Sequence, residues 1–219
     1  MKEVIKRGAA PALILAAALW AGMSSVQAQQ PAAGGAAPAA GRGGGRGPVF
    51  TVTSPSFPDG GEIPAHNVSR AGDNKSPQFE FKWMNGTAAA TAPETVKTYA
   101  IVLHDIENVG PMRGTTDTLH WTAFNIPGTT TTLAEGLGPG VLPDGTTNGP
   151  GIASRGGTAP GAYYGPGAGP GPFHHYVFEF YALDTKLDIP ASATRDELMK
   201  AMEGHVVGKA AYVGRFHGQ

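Results

Sequence analysis

The 219-residue chain has no cysteine, so disulfide bonds and thiol-based catalysis are excluded. Charged residues are also scarce, at 15%, and the formal net charge is −1. No basic surface therefore argues for nucleic-acid binding, and no acidic tail is present. Glycine and proline, by contrast, are abundant, with 33 and 19 residues. Part of this excess lies in one linker and part in loops between predicted strands.

The N-terminal segment has the pattern of a secretory signal peptide. Lys2, Lys6 and Arg7 precede an apolar run over residues 9–23, and Val26-Gln27-Ala28 is typical of a cleavage site. The apolar run is short for a membrane span, which needs about 20 residues. We therefore expect cleavage after residue 28, rather than an uncleaved anchor. The mature protein is then periplasmic or secreted and not transmembrane.

Residues 29–47 form a low-complexity segment of alanine, glycine and proline. Such a segment cannot bury enough apolar surface to offset the entropy lost on ordering, so it is predicted to be a disordered linker. Residues 48–219 remain for a single domain. A domain of this size has a core large enough to fold without disulfides after export.

Beyond the linker, the pattern predicts a mainly β domain with one late helix. Thr194 and Glu197 form a capping box that predicts a helix start, and Gly204 is suited to its end. Runs of β-branched and aromatic residues, alternating or continuous, predict strands. These runs lie at residues 49–53, 79–83, 99–103, 119–126, 177–183 and 206–216.

Strict alternation along these strands assigns side chains to faces. It places His174 on one face with Tyr176, and it turns His104 and His175 away from that face. In the strand over residues 119–126, it places His120 with Phe124 and Ile126 and puts Trp121 on the opposite side. An isolated strand histidine is more often a hydrogen-bonded core residue than a ligand, so each histidine needs further support.

One stretch offers such support, because a Gly/Pro-rich loop over residues 163–173 leads directly into His174. Free backbone N–H groups in such a loop can hold an anion, and a histidine at its end can add a further donor. Asp105 and His120, each on another predicted strand, are the candidates to join it.

Several motifs occur in the order found in one family. They are Ser54-Pro55-Ser56-Phe57, Gly72-Asp73-Asn74-Lys75-Ser76-Pro77, His104-Asp105-Ile106-Glu107, His120-Trp121 with Asn125-Ile126-Pro127, Tyr163 with Gly165-Pro166, and His174-His175-Tyr176. On these residues the chain resembles the phosphatidylethanolamine-binding proteins, in particular their bacterial, kinase-inhibitor-like branch. It departs from the family in lacking the prolines of the acidic motif, where Ile106 and Val109 stand, and the tandem prolines near Ala168.

The resemblance implies a large central β-sheet packed with a smaller sheet and a few peripheral helices. It also implies a small pocket for phosphate-type anions or phospholipid headgroups. Carrying the family's pocket residues over by position gives Asp105, His120, Gly167, His174 and Tyr176 as ligand-binding residues.

We expect a binding protein without turnover, with no catalytic residues, no cofactor and no metal. The expected partner is a small anionic ligand or a phospholipid headgroup. Two alternatives stay open at this point. One is a metal-assisted hydrolase that uses the His/Asp cluster, although no His-Glu-x-x-His motif is present. The other is an inhibitor or adaptor of an extracytoplasmic protease.

Overall fold

Two β-sheets and one α-helix organise the chain. The computed structural model describes residues 47–70, 72–109, 117–151 and 161–219. The elements are β1 (Val49–Thr53), β2 (Gly61–Glu62), a 3-10 helix (Ala65–Asn67), β3 (Phe79–Asn85), β4 (Ala88–Ala90), β5 (Thr98–Asp105), β6 (Thr118–Pro127), β7 (Thr132–Leu133), β8 (Thr147–Asn148), β9 (His174–Leu183), α1 (Arg195–Met202) and β10 (Val206–Phe216).

The larger sheet has six strands in the order β2-β10-β9-β5-β6-β8. Its strands pair antiparallel, except for the short parallel pair of β2 and β10. The smaller sheet has the order β1-β3-β4, and β7 also pairs with β3. The predicted mainly β fold, with a large and a small sheet, is confirmed.

An aromatic core lies between the two sheets. On β3, the alternation seen in the sequence buries Phe79, Phe81 and Trp83, while the residues between them are more exposed. Phe79 packs against Phe180 of β9, with ring centroids 4.9 Å apart in an edge-to-face arrangement. Such pairs contribute about 0.5–1.5 kcal/mol beyond their buried area, so this core supports the strands that carry the candidate site.

The opposite face of the larger sheet is partly covered by α1. Its start is fixed by the predicted capping box, in which Thr194 and Glu197 each satisfy the other's backbone N–H. Leu198 and Met202 are buried against Val102 of β5 and other apolar residues of that face. The helix therefore forms a third layer behind the sheet.

Strand β6 departs from simple alternation at two bulges. The register passes from Leu103–Trp121 to His104–Leu119, which leaves His120 as an extra residue on β6. A second shift lies near Asn125, whose φ is 56°. The face assignment made from alternation is therefore wrong for this strand. Trp121 and Ile126 lie in the core between the sheets, whereas Phe124 lies on the side of α1.

The predicted signal peptide, residues 1–28, and all of the predicted linker, residues 29–47, except its last residue, lie outside the described residues. Within the described ranges, no helix combines the length and the apolar composition that crossing a membrane requires.

Candidate functional site

The candidate site lies where β5 ends and β9 begins. Asp105 is the last residue of β5 and pairs with Tyr176 of β9, so both side chains share one face of the sheet. His174 stands two residues before Tyr176 on the same strand and therefore on the same face. Asp105 and Tyr176 are buried, whereas the His174 side chain is 28% exposed. The site is thus buried at its base and open to solvent at His174.

Asp105 holds His174 directly. Nδ1 of His174 lies 2.8 Å from Oδ2 and 3.1 Å from Oδ1 of the carboxylate, so its N–H donates to Asp105. Oδ1 also accepts from the backbone N–H groups of Glu107 and Asn108, at 3.1 and 3.0 Å. These bonds fold the chain after β5 into a turn and fix the carboxylate. An imidazole held through Nδ1 in this way presents its other nitrogen to a ligand.

His120 reaches the site because of the bulge in β6. Its Nδ1 donates to the carbonyl of Tyr164, 3.0 Å away, which ties the ring to the Gly/Pro-rich loop. Its ring meets the ring of Tyr176 edge-on, with centroids 5.2 Å apart. The ring of His174 lies nearly parallel to that of Tyr176, with centroids 6.5 Å apart. The structure therefore brings the two predicted histidines around a single tyrosine.

The hydroxyl of Tyr176 is the most unusual group of the site. Burial raises its pKa, and the neighbouring Asp105 carboxylate raises it further, while the N–H groups of Gly167 and Ala168 act in the opposite direction. Its oxygen nevertheless makes no hydrogen bond of standard geometry to a described residue. Buried hydroxyls normally have a partner, so this group is an uncommon feature of the site.

All five predicted site residues are thus close together, and Gly167 contributes its backbone. Gly167 itself is exposed, so the loop forms the outer wall of the site. The loop is held by a second loop that the sequence analysis assigned to a family motif without a role. Ser69 donates to the carbonyl of Pro166, and Asn74 accepts from the N–H of Gly165, at 2.9 and 2.8 Å.

The sequence analysis gave Asn74 no role, although a signal was available. Asn74 has a φ of 55°, a conformation that asparagine tolerates better than most residues. Its place in a Gly-x-Asn motif between polar residues is typical of such a turn.

Glu107 is a further acidic group that the site-residue prediction left out. Its Oε1 accepts from Nδ1 of His175 at 2.6 Å, and its Oε2 accepts from the backbone N–H of His175 at 2.7 Å. Burial raises the pKa of Glu107, but these bonds and the neighbouring histidines outweigh it and lower the pKa overall. Glu107 is therefore a carboxylate at neutral pH. We call Asp105, Glu107, His174 and Tyr176 the pocket cluster.

His104 faces away from this site, as alternation predicted. Its Nδ1 donates to Asp117, which also accepts from Arg195 of α1. On its other side, Nε2 lies 3.8 Å from Oε2 of Glu179, whose other oxygen is 2.6 Å from Nζ of Lys209. We call these five residues the outer-face cluster. It joins α1 and three strands, with two basic side chains balancing two carboxylates.

A separate hollow of about 720 Å³ lies near the opposite end of β5. Trp83 and Tyr99 are among its lining residues, and the indole N–H of Trp83 donates to the Tyr99 hydroxyl at 3.2 Å. None of the predicted site residues lies there. The Trp83–Tyr99 pair is therefore already hydrogen-bonded within the protein.

The fold and the arrangement of acidic residue, histidines and glycine loop define a class of protein. The model of the phosphatidylethanolamine-binding protein family matches residues 53–217, so the chain belongs to this family. The family prediction is confirmed.

Two relatives illustrate the similarity. A UPF0098 protein of Methanothermobacter thermautotrophicus is 35% identical over 162 residues, which cover 74% of this chain and 94% of that protein. LppC of Mycobacterium tuberculosis, named as a lipoprotein, is 32% identical over 171 residues, covering 77% of this chain and 73% of LppC.

Solved structures agree with the fold. A homologue of the family from Chlamydia trachomatis superposes with a TM-score of 0.61 at 25% identity, covering 78% of this chain and 99% of the homologue. YbcL of E. coli gives a TM-score of 0.59 at 23% identity, with the same coverage. The two-sheet architecture described above is therefore that of the family.

Proposed function

We propose that this protein binds phosphate-type anions or phospholipid headgroups at the pocket cluster and the adjoining glycine loop, without chemical turnover. The observation that carries this proposal is the buried hydroxyl of Tyr176, which lies beside the N–H groups of Gly167 and Ala168 and has no hydrogen-bond partner of standard geometry among the described residues. A ligand oxygen between hydroxyl and loop would accept from both. Leaving a buried polar group without a partner costs about 1–3 kcal/mol, which favours occupation.

The other groups of the site suit the same ligand. His174, held by Asp105, presents an imidazole edge at the partly exposed mouth of the site. Backbone and imidazole N–H groups are donors that phosphate oxygens accept from readily. The carboxylates of Asp105 and Glu107 would repel a bare anion, but they fit a headgroup that also carries an ammonium group. A zwitterionic headgroup would thus place its phosphate at the N–H donors and its ammonium group at the carboxylates.

Absence of turnover is supported by the groups around His174. Its Nδ1 donates to the Asp105 carboxylate, which orients the imidazole but is not a nucleophile that the histidine could deprotonate. Nucleophilic catalysis needs a hydroxyl, thiol or amine within reach of the base, and burial raises the pKa of the Tyr176 hydroxyl, which makes it a poor nucleophile.

We place this function outside the cytoplasm. The predicted signal peptide at residues 1–28 supports export, and so does the similarity to LppC, which is named as a lipoprotein. The ligand would then be met in the periplasm or the extracellular medium.

Titration calorimetry tests the proposal, with inorganic phosphate in one arm and glycerophosphoethanolamine in the other. We expect one site per chain. If the headgroup is the preferred ligand, the second compound binds more tightly, because its ammonium group can reach the carboxylates. Tyr176→Phe should weaken binding about tenfold, as expected for one hydrogen bond to a charged acceptor.

Tyr181→Phe is the matched control, because Tyr181 lies on the opposite face of the sheet and donates to Glu179. It should leave affinity unchanged. No heat from either compound at millimolar concentration, or equal affinity in wild type and Tyr176→Phe, would refute the proposed site. Release of inorganic phosphate from a phosphate monoester during incubation would refute the absence of turnover.

A further inference from the structure

We infer that the pocket cluster also holds a divalent first-row metal cation, bound by Asp105, Glu107 and His174. Among the described residues, one ligand atom from each of these three side chains lies within 4.8 Å of the other two. A cation placed among them would contact two carboxylate oxygens and one imidazole nitrogen. This inference goes beyond the proposed function, because cation binding does not depend on an anion being bound.

The local fold assembles this set from two strands. Asp105 ends β5, and its Oδ1 accepts from the N–H of Glu107, so the chain turns and brings the Glu107 carboxylate back toward β9. His174 begins β9, and its Nδ1 lies 2.8 Å from Oδ2 of Asp105. The three side chains are therefore placed by a turn and two paired strands, which is a firmer support than a mobile loop. A cation bound between Nδ1 of His174 and Oδ2 of Asp105 would take the place of the Nδ1 proton, which is released to solvent.

The charges of the cluster favour a cation. Two carboxylates lie together, and in the ion pairs of the described residues their partners are the histidines 174 and 175. No lysine or arginine of the described ranges lies within ion-pair distance of either carboxylate. In the outer-face cluster, by contrast, Asp117 pairs with Arg195 and Glu179 pairs with Lys209. The two carboxylates of the pocket cluster therefore carry negative charge that a divalent cation would neutralise.

The buried hydroxyl of Tyr176 supplies an independent observation. It is fully buried, lies beside the Asp105 carboxylate, and has no hydrogen-bond partner of standard geometry among the described residues. Carboxylates that bind metals are commonly oriented by such a neighbouring donor, and a hydroxyl there can also bond a metal-bound water. A cation at Asp105 therefore gives this group a role.

Competition from His175 is modest. Glu107 must give up part of its bonding to His175 to turn toward a cation, but its side chain is 37% exposed and that of His175 is 46% exposed. Exposed ion pairs contribute little to stability because solvent screens them, so Glu107 can exchange this pair for a cation at low cost.

The donor set selects the cation. One imidazole with two carboxylates suits a borderline ion such as Zn²⁺ or Mn²⁺, better than soft ions that prefer sulfur. With three protein ligands, further coordination positions are left for water or for an oxygen of a phosphate-type ligand. The cation site would thus let the pocket bind an anion beside two carboxylates.

The test uses the metal alone. Purified full-length protein, stripped with EDTA and dialysed, is titrated with Zn²⁺ and with Mn²⁺ by calorimetry, and Mn²⁺ binding is repeated by electron paramagnetic resonance. We expect one site per chain in wild type. Glu107→Gln and His174→Gln should each weaken that site at least about tenfold, since each removes a direct ligand.

The matched control is Asp184→Asn. Asp184 and His205 form another exposed carboxylate–histidine pair at 2.8 Å, but among the described residues they belong to no group of three candidate ligands. This variant should bind the metal as wild type does. Absence of a one-to-one site in wild type, or equal affinity in Glu107→Gln and His174→Gln, would overturn the inference. The Glu107 side chain is partly exposed and lies outside the core, so circular dichroism of the Glu107→Gln variant should show a folded protein.

The two proposals fail separately. In EDTA, wild type should still bind phosphate, because Tyr176, His120 and the loop donors do not need the cation. Tyr176→Phe keeps all three metal ligands, so its stoichiometry with Mn²⁺ should stay at one. Metal binding without phosphate binding would refute the proposed function alone, and the reverse result would refute the cation site alone.

Discussion

His104 and Asp105 are neighbours on β5, yet they enter two different histidine–carboxylate clusters on opposite faces of the same sheet. In the outer-face cluster, each carboxylate has a basic partner, Arg195 for Asp117 and Lys209 for Glu179. In the pocket cluster, the carboxylates contact histidines, and the buried hydroxyl of Tyr176 has no hydrogen-bond partner of standard geometry among the described residues. The first cluster pairs its carboxylates with a lysine and an arginine, whereas the ion-pair partners of the carboxylates in the second cluster are histidines among the described residues.

This difference separates two roles that the same residue types can have. A cluster whose charges are internally paired stabilises the contact between elements, here between α1 and the large sheet. A cluster with surplus negative charge and an unsatisfied buried donor gives up some stability for binding, as functional sites often do. The histidine and the two carboxylates are common to both clusters, so the difference lies in the arginine and the lysine that only the outer-face cluster contains.

The largest expected effect is on stability, from the outer-face cluster. Asp117→Ala leaves Arg195 and His104 without their shared acceptor, in a region where the Asp117 side chain is 21% exposed. We expect the free energy of unfolding to fall by about 2 kcal/mol, less than for a fully buried pair. Urea denaturation measures this. Phosphate affinity should be unchanged, and a loss of affinity without a loss of stability would reverse the roles assigned to the two clusters.

In the pocket cluster, by contrast, removing a polar group should not lower the stability of the ligand-free protein. Tyr176→Phe removes a fully buried hydroxyl that has no standard hydrogen bond, so we expect the free energy of unfolding to stay the same or to rise by about 1 kcal/mol in ligand-free buffer. The same urea measurement applies. A marked destabilisation would mean that the hydroxyl is already satisfied within the protein.

Part of the pH dependence of stability should come from the outer-face cluster. Burial raises the pKa of Asp117, but hydrogen bonds and charges from Arg195 and His104 outweigh it, so the pKa is lowered overall. For Glu179, burial raises the pKa, and bonds from Lys209 and Tyr181 outweigh it in the same way.

A carboxyl whose pKa is lowered by folding stabilises the protein above its unfolded pKa, about 4, and this contribution is lost as the pH falls through the folded value. Wild type should therefore lose stability below about pH 4, and Asp117→Asn should flatten that decline. Urea denaturation at several pH values checks the slope. Equal slopes in the two proteins would show that Asp117 does not carry the effect.

The smallest effect is expected where a histidine–carboxylate pair belongs to neither cluster. Asp184 and His205 are 40% and 47% exposed, and solvent screens their attraction. Asp184→Asn should change the free energy of unfolding by less than about 0.5 kcal/mol. A larger change in urea denaturation would mean that exposure is a poor guide to the contribution of such pairs in this protein.

Much of the fold could be predicted from the sequence, because local signals and tertiary packing agree. The buried alternation of Phe79, Phe81 and Trp83 and the capping box at Thr194 each appear in the structure as predicted. His174, with Asp105 and His120 as candidates beside it, could be proposed from the Gly/Pro-rich loop that precedes it, whereas Gly167 and Tyr176 were proposed by position within the family motifs. Their grouping depends on the pairing of β5 with β9 and β6, which no local pattern encodes.

What could not be predicted has a physical cause in each case. A bulge adds one residue without a distinctive sequence, so alternation assigned His120 and Trp121 to opposite faces. The role of Glu107 depends on the turn after Asp105, which returns a polar side chain to the sheet edge. The outer-face cluster depends on where α1 packs, and this is set by burial rather than by spacing along the chain.

Because His120 is the extra residue of a bulge in β6, the number of residues in this strand determines whether its imidazole reaches the site. Deleting Leu119 alone would place His120 opposite His104 and send its imidazole toward the helix side, with every pocket residue still present in the sequence. A sequence alignment without a gap at this point could therefore match identical residues whose side chains lie on opposite faces of the sheet. Homologues of equal identity can differ in the pocket by one inserted or missing residue in this strand.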